Sequence, residues 1–308
     1  MRNTFVRKMT ELVRLDPGVM LLTGDLGFGT FEKFAAEFPE NFINTGIAEQ
    51  NMAGVAAGLA LDGHRVFIYS IGNFPTLRCL EQWRNDICYH NLPVTVVVNG
   101  GGMAYGSLGM SHHATEVLSI LRTLPGMQVM APADPSELEK CFDFICRQSA
   151  PGYLRLCRGG EKILHAGLAD FTDPVLVPLC MDEIADTAVI MCGEIASLFA
   201  DIAAALQSRD IHADIYSSPF VKPLPDLTGV LSRKYKLCVT VEENSCIGGF
   251  GSGIAEYFSG LAVHPLLLRI ALPDRYCQVA GKHEFLRDAA GLSAEKIVVK
   301  IVEKRMLL

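Results

Sequence analysis

The sequence predicts an α/β protein built as two αβα domains with mainly parallel sheets, and three observations carry that prediction. Short apolar strands alternate with helical patterns along most of the chain. The strands are continuous runs such as Val94-Thr95-Val96-Val97-Val98 rather than strict apolar–polar alternations, as expected where helices cover both faces of a sheet. The chain has 308 residues, 50% of them hydrophobic, which is more than one core usually organises.

The first series opens with the strand Val19–Thr23. A helix is expected over Gly46–Leu61, rich in alanine and glycine and carrying Ala53, Gly54, Ala57 and Gly58 at three- and four-residue spacing. Each interior glycine costs roughly 1 kcal/mol relative to alanine, so this face asks for a closely packed helix or a second subunit. A strand over Arg65–Ser70, a helix over Arg78–Tyr89 and the strand Val94–Val98 follow. Gln128–Pro132 reads as the next strand, Ser136–Arg147 as a helix capped by Ser136, and Tyr153–Leu156 as the closing strand. From about Gly159 to Asp186 the periodicity lapses into Gly, Asp and Pro. The second series has strands at Thr187–Met191, His212–Tyr216, Lys236–Glu242 and Pro265–Ile270, with helices at Ala196–Ser208 and near Gly251–Phe258. The division is a first domain over 1–165, a linker over 166–185 and a second domain over 186–308, without internal repeats.

Composition narrows the function. A net charge of −7 with interspersed signs is no nucleic-acid footprint. No apolar run approaches the roughly 20 residues that span a bilayer, and Met1–Lys8 lacks the apolar stretch of a secretory signal, so a cytoplasmic location is expected. The ten cysteines are scattered through apolar segments without a CxxC pair, which argues for buried thiols rather than disulfides or zinc.

Several residues invite chemistry. Glu49 heads an otherwise small and apolar helix, where a buried carboxylate needs a partner to offset its desolvation; the helix macrodipole alone also favours an acid there. Phe74 sits in the loop after a parallel strand, the edge at which open α/β sheets bind ligands, and its ring either stacks on a flat heterocycle or anchors the loop. The stretch Asn99-Gly100-Gly101-Gly102-Met103-Ala104-Tyr105-Gly106-Ser107-Leu108-Gly109-Met110 lies at the same edge. It lacks the Lys-Ser/Thr of a phosphate loop and the strand–glycine–helix order of a dinucleotide fingerprint. It runs into Ser111-His112-His113-Ala114-Thr115-Glu116, whose two histidines point to different sides and so make a poor metal site, while either a functional or a surface histidine fits. Arg155 and Arg158 end another strand and suit a phosphate or carboxylate, or a structural ion pair. Arg7 and Asp25 stand at element ends.

Together, Asn44–Gly58, Tyr69–Phe74, Glu81-Gln82-Trp83-Arg84-Asn85-Asp86, Gly106–Glu116, Pro132-Ala133-Asp134-Pro135 and Val241-Glu242-Glu243-Asn244 resemble the C-terminal half of transketolase over nearly the whole chain. The resemblance implies a pyrimidine-binding domain followed by the family's C-terminal domain. The Gly-Asp-Gly … Asn-Asn signature that holds magnesium and the diphosphate occurs nowhere in this sequence. The family binds thiamine diphosphate between two protomers, so the resemblance implies an N-terminal partner subunit that holds most of the diphosphate and Mg2+, a heterotetramer around a dimer core, and no metal ligands from this chain. It also implies that Glu49 hydrogen-bonds N1′ of the aminopyrimidine and favours its imino tautomer, that Phe74 stacks on the ring, and that His112 donates to substrate oxygens. Arg158 is then the grip on a substrate phosphate, with Arg7 a second contact and Asp25 a hydroxyl contact. Two departures stand out. Leu108 replaces an acidic residue that reads the acceptor's 2-hydroxyl, and glycine near Gly100 replaces a phosphate-contacting histidine.

The expected function is two-carbon ketol transfer from a ketose donor to an aldose acceptor. The alternatives are deoxyxylulose-phosphate-type synthesis, supported by Arg155-x-x-Arg158-Gly, a β subunit of the 2-oxo acid dehydrogenase type, and a non-catalytic regulatory subunit.

Overall fold

The computed structural model describes residues 1–233 and 235–308. Its first sheet contains β1 (Val19–Thr23), β2 (Phe42–Asn44), β3 (Arg65–Ile71), β4 (Val94–Asn99), β5 (Gln128–Met130) and β6 (Gly152–Leu156). The second contains β7 (Val177–Cys180), β8 (Thr187–Cys192) and β9 (Ala213–Ser217), while β10 (Phe220–Lys222) returns to the first sheet; β11 (Leu237–Ser245) and β12 (Leu266–Leu272) complete the set. The spatial orders are β10-β5-β6-β4-β3-β1-β2 and β12-β11-β8-β9-β7. Pairing is parallel except at β10–β5 and β7–β9.

The unbroken apolar strands have the expected cause. In β4, Val94, Val96 and Val98 face one core and Val97 faces another, so both faces are dry. The first of these cores continues through Ile190, Cys192, Cys238 and Phe250, so the two domains share apolar packing. The outer face of the second sheet forms a third cluster around Val189, Met191, Val239 and Ile301.

Local structure departs from the sequence reading in several places. The alanine-rich helix begins at Glu49, not Gly46, because Gly46 is left-handed (φ 71°) and Ala48 is non-helical. Its alanines and glycines also part company: Ala53 and Ala57 pack on the sheet, whereas Gly54 and Gly58 are exposed with open space beside them. The expected helix over Arg78–Tyr89 is two pieces, Leu80–Gln82 and a π-helical turn at Trp83–Cys88, and a separate short helix, Phe74–Leu77, precedes them where a loop is expected. The Trp83 indole N–H donates to the Pro75 carbonyl at 2.6 Å, holding this broken path against the sheet. The helix Pro135–Arg147 is capped by Asp134, whose carboxylate accepts from the Glu137 N–H at 2.8 Å; Ser136 is inside the helix and Pro135 takes its first position.

Part of the expected linker, β7, is a strand of the second sheet, and β10, from the expected second domain, belongs to the first. The sequence reading also passes over the helix Arg2–Leu15, despite its Phe5, Met9, Val13 stripe, and the helices His283–Ala289 and Ala294–Arg305. All ten cysteines are free thiols. Among the described residues no helix is long and apolar enough to cross a membrane.

Candidate active site

Parallel strands end at a common edge, so the segments after β1, β3, β4 and β6 converge there. These segments carry Asp25, Phe74, the glycine loop with His112, and Arg158. The helix headed by Glu49 follows β2, which flanks β1.

Glu49 is buried, 6% exposed, and its Oε1 accepts from Arg78 Nη1 at 3.1 Å. Its other oxygen has no partner among the described residues. The Arg78 guanidinium lies over the Phe74 ring, 4.3 Å from the centroid. A planar cation therefore stacks on the aromatic while binding the carboxylate. Phe74 in turn meets the His112 ring edge-on at 5.2 Å, and His112 stands 6.4 Å from Tyr105. The Arg158 guanidinium covers Tyr105 at 5.0 Å and donates to the Ala104 carbonyl at 3.2 Å. Five of these side chains thus form one continuous row from Glu49 through Arg78, Phe74 and His112 to Tyr105, closed by Arg158.

The row is braced from below. Asn73 Nδ2 donates to the Ser111 carbonyl at 2.7 Å, Ser111 Oγ and His112 Nδ1 share a hydrogen bond of 3.1 Å, and Asn99 Nδ2 donates to the Tyr105 hydroxyl at 3.0 Å. Burial raises the Tyr105 phenol above its ordinary value, with Arg158 opposing the shift. His113 points away into the interior; desolvation lowers it, against the carboxylates of Glu243 and Glu116. The buried atoms Ser70 Oγ, Asn73 Oδ1, Asn99 Oδ1 and His113 Nε2 find no hydrogen-bond partner among the described residues.

The other expected residues lie outside this row. Asp25 is exposed in the left-handed region (φ 56°), and its N–H donates to Asn44 Oδ1 at 2.9 Å. Asn44 also receives the Gly46 N–H at 3.0 Å, so Asp25 and the approach to Glu49 share one anchor. Arg7 lies on the first helix, where Glu11 at 2.8 Å and Glu139 at 2.6 Å take up its guanidinium. Arg155, read beside Arg158, is buried behind the glycine loop, and a Cβ on Gly101 would lie 2.2 Å from its Cδ.

Sequence reasoning passed over Arg78 and Tyr105. An aromatic inside a glycine loop after a strand was a signal for Tyr105. For Arg78 the only hint was the need of Glu49 for a partner.

A buried carboxylate with a free oxygen, beside a half-buried aromatic ring and a histidine, fits a flat nitrogen heterocycle that stacks and hydrogen-bonds at its edge. Among the described residues no group of three or more His, Cys, Asp or Glu could hold a metal.

Residues 1–160 match the family model of the transketolase pyrimidine-binding domain, and residues 181–297 that of the transketolase C-terminal domain. The chain is 30% identical over 306 residues to an apulose-4-phosphate transketolase subunit of Phocaeicola vulgatus, covering 98% of this chain and 96% of that one. It is 35% identical over 312 residues to 1-deoxy-D-xylulose-5-phosphate synthase 2 of Geobacter sulfurreducens, covering 96% of this chain and 48% of the relative, so it spans about half that protein's length. A solved split-gene transketolase, described as an inactive beta4 tetramer, superposes with a TM-score of 0.86 at 31% identity, covering 98% of this chain and 96% of that one.

Proposed function

The chain belongs to the transketolase family, and we propose that it is the C-terminal subunit of a split, thiamine-diphosphate-dependent transketolase that moves a two-carbon ketol unit from a ketose donor to an aldose acceptor. The observation that carries this reading is the row of Glu49, Arg78, Phe74, His112, Tyr105 and Arg158 at the carboxyl edge of the first sheet.

When bound, thiamine diphosphate supplies the carbanion chemistry. In this reading the residues of the chain bind, orient and handle protons. Glu49 hydrogen-bonds N1′ of the aminopyrimidine, and burial makes that interaction strong. Phe74 offers its face to the ring, so Arg78 is the group that the ring displaces. His112 donates to substrate oxygens at which negative charge develops. Arg158 binds a phosphate or carboxylate at the open end of the row, and Asp25 accepts from a substrate hydroxyl. Leu108, 53% exposed on the loop's rim, offers no acceptor to a hydroxyl, which supports a specialised rather than a common sugar acceptor.

The sequence contains no diphosphate-binding signature, so the reading requires an N-terminal subunit that brings most of the diphosphate and Mg2+ contacts. The length relation to the Geobacter synthase fits the same division. Calorimetry with thiamine diphosphate and Mg2+ tests the assignment, first on this chain and then with the N-terminal subunit added. Binding in the mixture alone supports the split enzyme; binding in neither removes the cofactor role of Glu49. The 35% identity to the synthase favours deoxyxylulose-phosphate formation as a second reading, and a product assay on the mixture separates it from ketol transfer.

A further inference from the structure

We propose that the second domain is a clamp that positions His112, with Glu243 as a positioning residue acting through the glycine loop. The inference rests on the assignment of His112 as the residue that donates to substrate.

The loop between β4 and the helix Val117–Arg122 is closed on itself at its base. Gly102 and Ala114 pair, with the Ala114 N–H donating to the Gly102 carbonyl at 2.8 Å and the Gly102 N–H to the Ala114 carbonyl at 3.3 Å. Tyr105 and His112 both lie within this closed segment. Three hydrogen bonds then tie it to the second domain. The Met103 N–H donates to Glu243 Oε1 at 2.6 Å, the Gly281 N–H to the Gly106 carbonyl at 3.1 Å, and the Ser245 N–H to the Thr115 carbonyl at 2.6 Å. The first of these is the best protected, because Glu243 is 3% exposed.

The sequence of the loop is cut to fit the clamp. A Cβ on Gly102 would lie 2.3 Å from Glu243 Oε1, and Gly102 is left-handed (φ 55°), so the carboxylate occupies the space where a side chain would stand. A Cβ on Gly106 would lie 2.3 Å from Leu286 Cδ1. Glu243 is itself held by His283 Nε2 at 2.8 and 2.9 Å and by Arg287 Nε, and Glu194 stands 4.0 Å from His283 and 3.8 Å from Arg287. A buried ion cluster of this kind adds little net stability over apolar packing, but it fixes one arrangement of the groups that bond to it. Apolar packing does not fill the seam: a cavity of about 570 Å3 lies between the loop and the second domain, with Met103, Thr115 and Glu116 on one side and Ser245, Leu272 and Leu286 on the other.

Amide hydrogen exchange on the full chain tests the clamp without depending on turnover. In Glu243→Gln, the amides of Met103, Gly106 and Ala114 are expected to speed up at least about tenfold more than those of β4 and β8, whose rise reports only the global loss of stability. His283→Asn keeps the carboxylate, removes one of its holders, and shows the same pattern to a smaller degree; it decides the matter where Glu243→Gln does not fold. In the complex with the N-terminal subunit, both variants are expected to lower kcat about tenfold or more with the cofactor Kd unchanged, as misplacement of a catalytic group does. The clamp is overturned by unchanged loop exchange in both variants, or by exchange that rises evenly across the second domain. Failure of every mixture to turn over speaks against the enzyme assignment alone, since the exchange result stands without it.

Discussion

Glu49 and Glu243 are both buried glutamates, 6% and 3% exposed, and each lies against an arginine. Among the described residues Glu49 receives one side-chain hydrogen bond, from an Arg78 side chain that is 52% exposed. Glu243 is enclosed by Arg287, His283 and the Met103 N–H. Burial raises its carboxyl, but Arg287 and His283 outweigh it and bring the group down to about 2. The difference lies in unfilled hydrogen-bonding capacity. The carboxylate whose partners are complete fixes a structure, and the one left with a free oxygen and a half-exposed partner is available to a ligand.

The largest effect expected from that contrast falls on Glu49. Glu49→Gln should lower turnover of the reconstituted complex by about 10³-fold or more, with the thermal unfolding of the isolated chain little changed. Retention of near-normal kcat breaks the comparison. In contrast, Glu243→Gln should cost about 3 kcal/mol in denaturant unfolding at neutral pH, because Arg287 loses its buried partner.

The pH dependence sharpens the same point. The folded-state pKa of Glu243 is depressed, so its contribution to stability is present above about 4.5 and is lost as pH falls from there towards 2. Its neighbour Glu242 has the opposite sign. Burial pushes it up to about 7, against two N–H donors from Phe250 and Gly251, each at 2.8 Å. Its contribution is therefore greatest below about 4.5 and is lost as pH rises through 7. Relative to wild type, Glu242→Gln should gain up to about 3 kcal/mol between pH 4.5 and 7, measured by urea unfolding across that range.

Arg158 and Arg7 extend the comparison to cations. Arg158→Ala should raise KM for a phosphorylated substrate about tenfold, with little change for an unphosphorylated one in parallel assays. The smallest effect is expected at Arg7, whose ion pairs with Glu11 and Glu139 are exposed: Arg7→Ala should cost less than about 1 kcal/mol in thermal unfolding. A KM increase as large as that of Arg158→Ala would instead make Arg7 a second phosphate contact.

Much of this was legible in the sequence. The Val94–Val98 run announced a strand buried on both faces, and both faces are dry. The loops after strands pointed to one sheet edge, where Phe74, His112 and Arg158 now form a row. Capping was harder to read, because Ser136 and Asp134 are both good caps and the proline at 135 fixes which one stands outside the helix. The Glu81–Asp86 segment has a helical composition, but the Trp83 bond to Pro75 and the fit against the sheet impose a π-helical turn.

The parallel α/β architecture, the residue types at the strand ends and the small-residue helix headed by Glu49 are written in the amino-acid order, because they follow from local periodicity and from the side chains themselves. Which groups meet depends on the folded arrangement. Arg78 is 29 residues from Glu49, Met103 is 140 from Glu243, and β10 leaves the second domain to pair with β5. Such contacts depend on how two sheets pack and where loops close, and no local propensity encodes that geometry.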